Sequence, residues 1–331
     1  MPRIIASEFH PAPCLANRHV QTILPSLLRR GKARDFVQQE LQLPDGDFVD
    51  LAWSELPAGN TKVPIVIIFH GLEGSVHSPY AQGIMRSIRK KGWYAVVMHF
   101  RGCSGRPNRL PRSYHSGDTS DAKFLLHYLQ EHYPAAPLFA IGYSLGGNML
   151  LKLQGEAGSD SPLSAAISVC APLRLDICAN EMRKGFARIY QRILLRHLID
   201  KVSVKFARHN YTDLIGLGRK QIASAQDFWQ FDNLYTAPIH GFRNAEEYYA
   251  RSSARQFLAR IARPTLVIQS LDDPFMSPDV IPSEEELSSS VTLEICKQGG
   301  HVGFIEVHKG RPGFWLERRI PDYIESRIAN A

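Results

Sequence analysis

The 331-residue chain, 44% hydrophobic and 21% charged, has the composition of a globular protein and excludes the collagen-like, disordered and disulfide-rich classes. Its net charge of +7 comes from dispersed basic residues, without the clustered patches and aromatic motifs of nucleic-acid binders, so no nucleic-acid partner is expected. The longest apolar runs, "VPIVIIF" and "LSAAISVCAPL", are shorter than the roughly 18 residues that span a bilayer; stable membrane insertion is excluded and peripheral contact is left open.

The N-terminal "MPRIIASEFHPAPCLANRHVQ" has no apolar stretch of signal-peptide length. Cysteines at 14, 103, 170, 178 and 296 are odd in number and follow neither a C-x-x-C nor a framework spacing, which suits a reducing cytoplasm. "QQELQLPDGDFVDLAWSE" then predicts two strands joined at Pro44-Asp45-Gly46, where proline presets one φ and glycine permits the next. Strand-length apolar runs alternate with helical segments after it. "VPIVIIFHG" (63–71) precedes helical "YAQGIMRSIRKKG", "YAVVMHFRG" (94–102) precedes "DTSDAKFLLHYLQEH", and "PLFAIGYS" (137–144) precedes "LGGNMLLKLQGEAG", with "LSAAISVCAP" (163–172) next. Near-continuous apolar strands separated by helices imply a mostly parallel sheet covered on both faces, an α/β class.

From about residue 174 to 255 the alternation stops and the chain turns helical and rich in Arg, Lys and Tyr. This reads as a helical cap or lid inserted into a single domain before the last two strands, "PTLVIQS" (264–270) and "VTLEICK" (291–297). The chain closes on amphipathic "FWLERRIPDYIESRIA".

"GYSLG" (142–146) follows one of these strands directly and opens onto a helix. That is the strand-turn-helix setting of a nucleophile elbow, with Gly142 and Gly146 leaving room in the turn and Ser144 held in a strained backbone. A serine hydroxyl needs a base and an acid behind the base. His301 in "QGGHVGF" stands in a loop after the last strand, and "LDDP" after the preceding strand offers Asp272 and Asp273. The chain order serine, aspartate, histidine is that of α/β hydrolases. Two backbone N–H groups are expected to hold an oxyanion: that of Leu145 at the helix start, and that of Leu72 in "FHGLEGS" (69–75), a turn shaped by His70 and Gly71.

Other features have plainer readings. "RGCSG" (101–105) either lines an acyl pocket or only forms a loop, and Cys103 has no histidine-acid pair placed for it. Asp118 is expected to cap a helix with Asp121 three residues on; a metal site with His115 is the alternative, and none is expected. His240 in "TAPIHGF" is read as structural.

Together "PCLANRHVQTILP", "FHGLEGS", "HFRGCSGRPNRLPRSYHSGDTSD", "GYSLGGNML", "TAPIHGF", "YYARSSA", "LDDPFM" and "GGHVGF" resemble the α/β-hydrolase superfamily, and within it the YheT-like group of hydrolases related to animal ABHD and plant Emb8 proteins. The resemblance spans nearly the whole chain and implies an esterase-like Ser-Asp-His hydrolase; together with the residues above it leads to the expectation of a cytoplasmic carboxylesterase acting on small-molecule esters, with no cofactor and no metal. Unlike the animal relatives, this sequence shows no membrane-anchoring N-terminal helix, which counts against a constitutively membrane-bound role. In the superfamily pattern the acid lies three residues past a small residue that ends the strand, often before proline; Ser270, Asp273 and Pro274 fill those positions, so Asp273 is preferred and Asp272 is its competitor. An acyltransferase or thioesterase on the same triad is the enzymatic alternative, although no H-x-x-x-x-D signature is present, and a noncatalytic binding member of the fold is the other. Oligomeric state is not legible.

Overall fold

A computed structural model describes residues 3–28 and 35–329. In chain order the elements are β1 (Ile4–Ala6), α1 (Arg18–Leu28), β2 (Val37–Gln42), β3 (Phe48–Trp53), β4 (Ile65–Phe69), α2 (Pro79–Lys90), β5 (Tyr94–Met98), α3 (Ser120–His132), β6 (Leu138–Tyr143), α4 (Leu145–Ala157) and β7 (Leu163–Val169). A helical stretch follows: α5 (Leu175–Glu181), α6 (Ala187–Lys205), α7 (Tyr211–Ile215), α8 (Arg219–Ala223), α9 (Phe228–Phe231), a π-helical turn over Asp232–Thr236, α10 (Ala237–Ile239) and α11 (Ala245–Ser252). The chain then returns through β8 (Thr265–Ser270), β9 (Val291–Cys296), the hairpin β10 (Ile305–His308) and β11 (Arg311–Phe314), and α12 (Leu316–Ile328).

Among the described residues, nine strands form one sheet in the order β1-β9-β8-β7-β6-β4-β5-β3-β2. It is parallel from β1 to β5 and antiparallel only where β3 meets β5 and β2. The β2–β3 turn carries Gly46 at φ +82°, the left-handed conformation that glycine adopts without a Cβ clash.

Alternation along β4 shows why the strands read as continuous apolar runs. Val66 and Ile68 pack with Ile84 and Ile88 of α2 and Ile320 and Ile324 of α12. Ile65, Ile67 and Phe69 pack on the opposite face with Leu125 and Leu129 of α3 and Met149 and Leu153 of α4. A strand buried on both faces has no polar side to show.

The helices between β7 and β8 are fastened to the sheet side by buried polar contacts. Lys205 near the end of α6 donates to the carbonyls of Leu110, Pro111 and Arg112 at 3.1, 3.3 and 2.7 Å. Lys201, one turn earlier, pairs with Glu73 at 2.8 Å. Taking an amino group out of water is tolerated only where acceptors replace it, and here both have them; burial nevertheless lowers the Lys205 pKa to about 7.

Of the two readings of the "RGCSG" loop the plain structural one holds, and the expected cap of α3 is corrected. The "RGCSG" loop does not line the main cavity; Arg101 is 2% exposed and is held by Asp45, Asp47 and Asp121, the last through two bonds of 2.7 Å. The N-cap of α3 is Thr119 rather than Asp118. The Asp118 carboxylate is drawn to Arg112 and to the Ser120 hydroxyl, and Asp121 is committed to Arg101, so neither serves as a cap or faces an open metal site with His115.

Removing Arg101 would strand buried carboxylates without their cation. Arg101→Leu is expected to lose about 3 to 5 kcal/mol of stability, read as a lower midpoint in urea with an unchanged slope. A loss below about 1 kcal/mol would show that the network is not stabilising.

Candidate active site

Ser144 joins β6 to α4 with φ +51° and ψ −117°, a conformation that L-residues rarely adopt. Its own N–H donates to the Val169 carbonyl at 2.8 Å, and its carbonyl accepts the Asn148 N–H at 3.0 Å, so both flanks of the turn are fixed. The two glycines of the motif are required by contact. A Cβ at Gly142 would lie 2.4 Å from the Gly146 carbonyl oxygen, and one at Gly146 would lie 2.5 Å from the carbonyl oxygens of both Phe69 and His70. The tight turn lets α4 approach the end of β4 and leaves the serine at the carboxyl edge of the sheet, where open α/β sheets carry their ligands.

The loop after β4 is braced by two tyrosines that sequence reasoning did not single out. Tyr80 accepts the Gly71 N–H at 2.8 Å, and Tyr114 accepts the Glu73 N–H at 2.9 Å; the Leu72 N–H lies between them. His70 is fully buried beneath. Its Nε2 faces the Phe100 N–H at 3.1 Å and so must accept, which assigns the proton to Nδ1 and a donated bond of 2.7 Å to the Gly71 carbonyl. Burial lowers its pKa to about 3, so the ring stays neutral and keeps that tautomer across the working pH range.

Beyond β8, Asp273 is 1% exposed and accepts the Phe275 N–H at 2.8 Å on one oxygen. Its other oxygen meets His301 Nδ1 at 2.7 Å. Asp272 points elsewhere: it accepts the Gly300 N–H at 2.9 Å and the Ser270 hydroxyl, holding the histidine loop without touching the ring. The Phe275 ring stacks on His301 with centroids 4.1 Å apart. A carboxylate at Nδ1 puts the ring proton there and leaves Nε2 as the basic nitrogen.

The His301 loop is pressed against α1. Gly300 sits at φ +59°, where an added Cβ would be 2.5 Å from the Arg18 carbonyl oxygen, and at Gly303 it would be 1.7 Å from that of Gln21. Gln21 accepts the Ile305 N–H at 2.7 Å, and Thr22 Oγ1 accepts the His301 N–H at 2.9 Å. The doubled glycine in "QGGHVGF" signals a close approach, but its partner, "NRHVQT" in α1, lies some 280 residues away.

Ser144, Leu145, Leu72 and His301 line one cavity of about 480 Å³, with Asp273 behind the histidine. Its walls are mainly apolar, among them Leu175, Met182, Tyr190, Leu194, Leu198 and Val202, drawn from α5, the residue that caps it and α6. Asp232 of the π-helical turn also lines it; burial pushes its carboxyl up to about 6. Cys103 is not on this lining, and burial pushes its thiol up to about 11, which makes it a poor nucleophile. Cys170 lies close behind Asp273 and His301, with donor atoms all within 4.8 Å, but burial and the Asp273 charge hold its thiol well above the usual range and therefore protonated. His240 does not line the cavity; it packs on His115 and bonds the carbonyls of Thr236 and Ser113 at 2.7 and 2.9 Å.

The contact at Gly146 is testable without reference to any substrate. Gly146→Ala forces a methyl onto two backbone carbonyls that cannot rotate away, so a loss of about 3 kcal/mol is expected in chemical denaturation. Gly59→Ala, whose Cβ would find its nearest neighbour at 3.8 Å, is the control and should change stability by less than about 0.5 kcal/mol. Equal effects at the two positions would contradict the reading of the turn.

Residues 64–307 match the family model described as alpha/beta hydrolase fold. The chain is 49% identical over 323 residues to "Putative esterase YheT" of Escherichia coli (strain K12), covering 98% of this chain and 94% of that protein. It is 29% identical over 330 residues to the embryogenesis-associated protein EMB8 of Picea glauca, covering 95% and 71%, and 25% identical over 331 residues to phospholipase ABHD3 of Mus musculus, covering 98% and 80%. Among solved structures, the Pyrococcus furiosus esterase Pf2001 superposes with a TM-score of 0.56 at 16% identity over 89% of each chain. Est1E from Butyrivibrio proteoclasticus does so with 0.55 at 12% identity, over 88% of this chain and 99% of that one. At such identities the structures speak for the fold alone, while the sequence matches carry the kinship: the chain belongs to the α/β-hydrolase fold family and, within it, to the YheT-like group.

Proposed function

We propose that this protein is a serine carboxylesterase that cleaves small-molecule esters through an acyl-enzyme. The observation that carries the reading is the 2.7 Å bond between buried Asp273 and His301 Nδ1, with His301 opening onto the same cavity as Ser144 in its positive-φ turn. The naming of the Escherichia coli relative as an esterase agrees with it.

In this mechanism His301 Nε2 takes the Ser144 proton as Oγ attacks the ester carbonyl carbon. Asp273 stabilises the imidazolium, and the N–H groups of Leu72 and Leu145 hold the oxyanion. Collapse breaks the bond to the alcohol oxygen, which leaves with the proton from His301. Water, deprotonated by the same nitrogen, then attacks the acyl-serine; the bond to Ser144 Oγ breaks as His301 returns the proton to that oxygen, and the carboxylic acid is released. The apolar walls from α5 and α6 suit an apolar acyl group, with helices α5 to α11 acting as a lid that excludes water during the first step. The reading includes a cytoplasmic location, supported by unpaired thiols at all five cysteines.

Ser144→Ala should lower turnover of a p-nitrophenyl acyl ester by at least roughly 10⁴-fold with an unchanged circular dichroism spectrum, and should abolish labelling by a fluorophosphonate probe. The two aspartates separate acid from loop support. Asp273→Asn is expected to cost roughly 10³- to 10⁴-fold in kcat, and Asp272→Asn within about tenfold. The reverse order would move the acid to Asp272, and retained activity in Ser144→Ala would end the serine mechanism.

A further inference from the structure

We propose that the face around the cavity mouth, built from α1 and the first half of α6, docks onto an anionic lipid bilayer surface. Of the side chains lining the cavity, Ser26, Ile193 and His197 are exposed, so the cavity reaches solvent between these two helices. They are joined there by His19, whose ring lies 4.5 Å from that of Phe186 and whose Nδ1 is 3.2 Å from the Tyr190 hydroxyl.

Large apolar side chains stand in solvent on both sides of that opening. Phe186 and Ile189 are each 47% exposed and Ile193 51%; on α1, Ile23 is 38% and Leu27 46% exposed. Single exposed hydrophobes are ordinary, but a group that rims one opening from two helices is not. On α6 the order around the helix is informative. Tyr190 and Leu194 face the cavity, Gln191 and Leu195 are buried, Ile189 and Ile193 are exposed beside the cavity edge, and Arg188, Arg192 and Arg196 form an exposed i, i+4 row next to them. Arg188 and Arg192 pair with no carboxylate among the described residues, while Arg196 reaches Asp200 only at 3.9 Å and Lys184, just before the helix, pairs with Glu181.

Apolar side chains flanked by guanidinium groups fit the two depths of a lipid interface, with hydrocarbon below and phosphate above. No described helix is long and apolar enough to cross a membrane, so the contact is a surface one. With the lipid surface over the mouth, an apolar chain passes from the bilayer to the cavity without crossing water. That consequence for substrate rests on the esterase reading; docking itself does not.

The test is co-sedimentation of the full chain with vesicles of phosphatidylcholine mixed with phosphatidylglycerol, against vesicles of phosphatidylcholine alone. The wild type and Ser144→Ala should both partition onto the mixed vesicles and only weakly onto the neutral ones. Arg188→Gln/Arg192→Gln/Arg196→Gln should weaken partitioning roughly a hundredfold, at about fivefold for each cation near an anionic surface. Leu27→Ser/Ile189→Ser should weaken it roughly tenfold while leaving turnover of a water-soluble short-chain ester, and the circular dichroism spectrum, unchanged. Wild type that ignores the mixed vesicles overturns the proposal. So does a loss confined to the arginine variant, which would mean attraction to any polyanion, and so does a lipid-free dimer that Leu27→Ser/Ile189→Ser dissociates, which would make the face a contact between two copies. Because binding is read without turnover, an enzyme inactive on every ester would still pass or fail this test.

Discussion

Ser144 can hold its positive φ only because nothing with a side chain stands where Gly142 and Gly146 are. Such a conformation costs on the order of 1 to 3 kcal/mol and persists where its surroundings leave no alternative. Here those surroundings are the Val169 carbonyl, which takes the serine N–H, and the carbonyls of Phe69 and His70, against which Gly146 packs. They belong to β7 and to the end of β4, the strands on either side of β6. One turn therefore fixes the spacing of three strands at the edge where the chemistry is expected. It also brings the loop that carries the Leu72 N–H beside the first turn of α4, where the Leu145 N–H has no acceptor within its own helix.

Buried polar groups then decide how everything above that edge is oriented. His70 and His99 act as neutral connectors: each accepts a backbone N–H on Nε2, from Phe100 and Val76, and donates from Nδ1 to a carbonyl, of Gly71 and Asp50. Burial lowers both pKa values and so protects that pattern from protonation. Lys201 and Lys205 join α6 to the Glu73 turn and to the 110–112 backbone, Lys201 through an ion pair and Lys205, whose pKa burial lowers to about 7, through carbonyl acceptors. The cost of burying each amino group is offset only if those acceptors are kept in register, which ties the cavity roof to its floor.

What the sequence discloses follows from how local each signal is. The α/β pattern is legible because β4 to β9 are buried on both faces, and the elbow is legible because strand, glycines and helix are contiguous in "PLFAIGYSLGGNML". The choice between Asp272 and Asp273 turns on side-chain direction at the end of β8, which two adjacent letters do not encode; a resemblance to other chains supplies the preference and the contact to His301 Nδ1 supplies the geometry. β1 has only three residues and the β10–β11 hairpin four on each side, too few for a periodic pattern to stand out. Asp118 and Asp121 match a helix-start pattern, yet cations distant in sequence or hidden in a loop, Arg101 and Arg112, claim them first. Tyr80 and Tyr114 escape notice for a related reason, since a brace on a backbone N–H leaves no spacing rule behind.

α1 shows how one such unannounced element connects two ends of the site. Its inner side carries Gln21 and Thr22, which hold the backbone of Ile305 and His301, and Gly303 packs against its carbonyls. Its outer side carries Ile23 and Leu27, exposed beside the mouth. Thr22 both lines the cavity and accepts the His301 N–H, so His301 is one hydrogen bond from the helix that borders the opening. A rigid α1 therefore serves both purposes at once: a shift large enough to widen the mouth from this side would also break the bonds that aim the imidazole. α6 reaches the same region through side-chain contacts: the Tyr190 ring lies 5.0 Å from that of Phe275, which stacks on His301, and the Tyr190 hydroxyl meets His19 Nδ1 at 3.2 Å. α1 is thus joined to the histidine loop by backbone hydrogen bonds, whereas α6 is joined to it by ring packing near its start and to the sheet side by lysines at its far end.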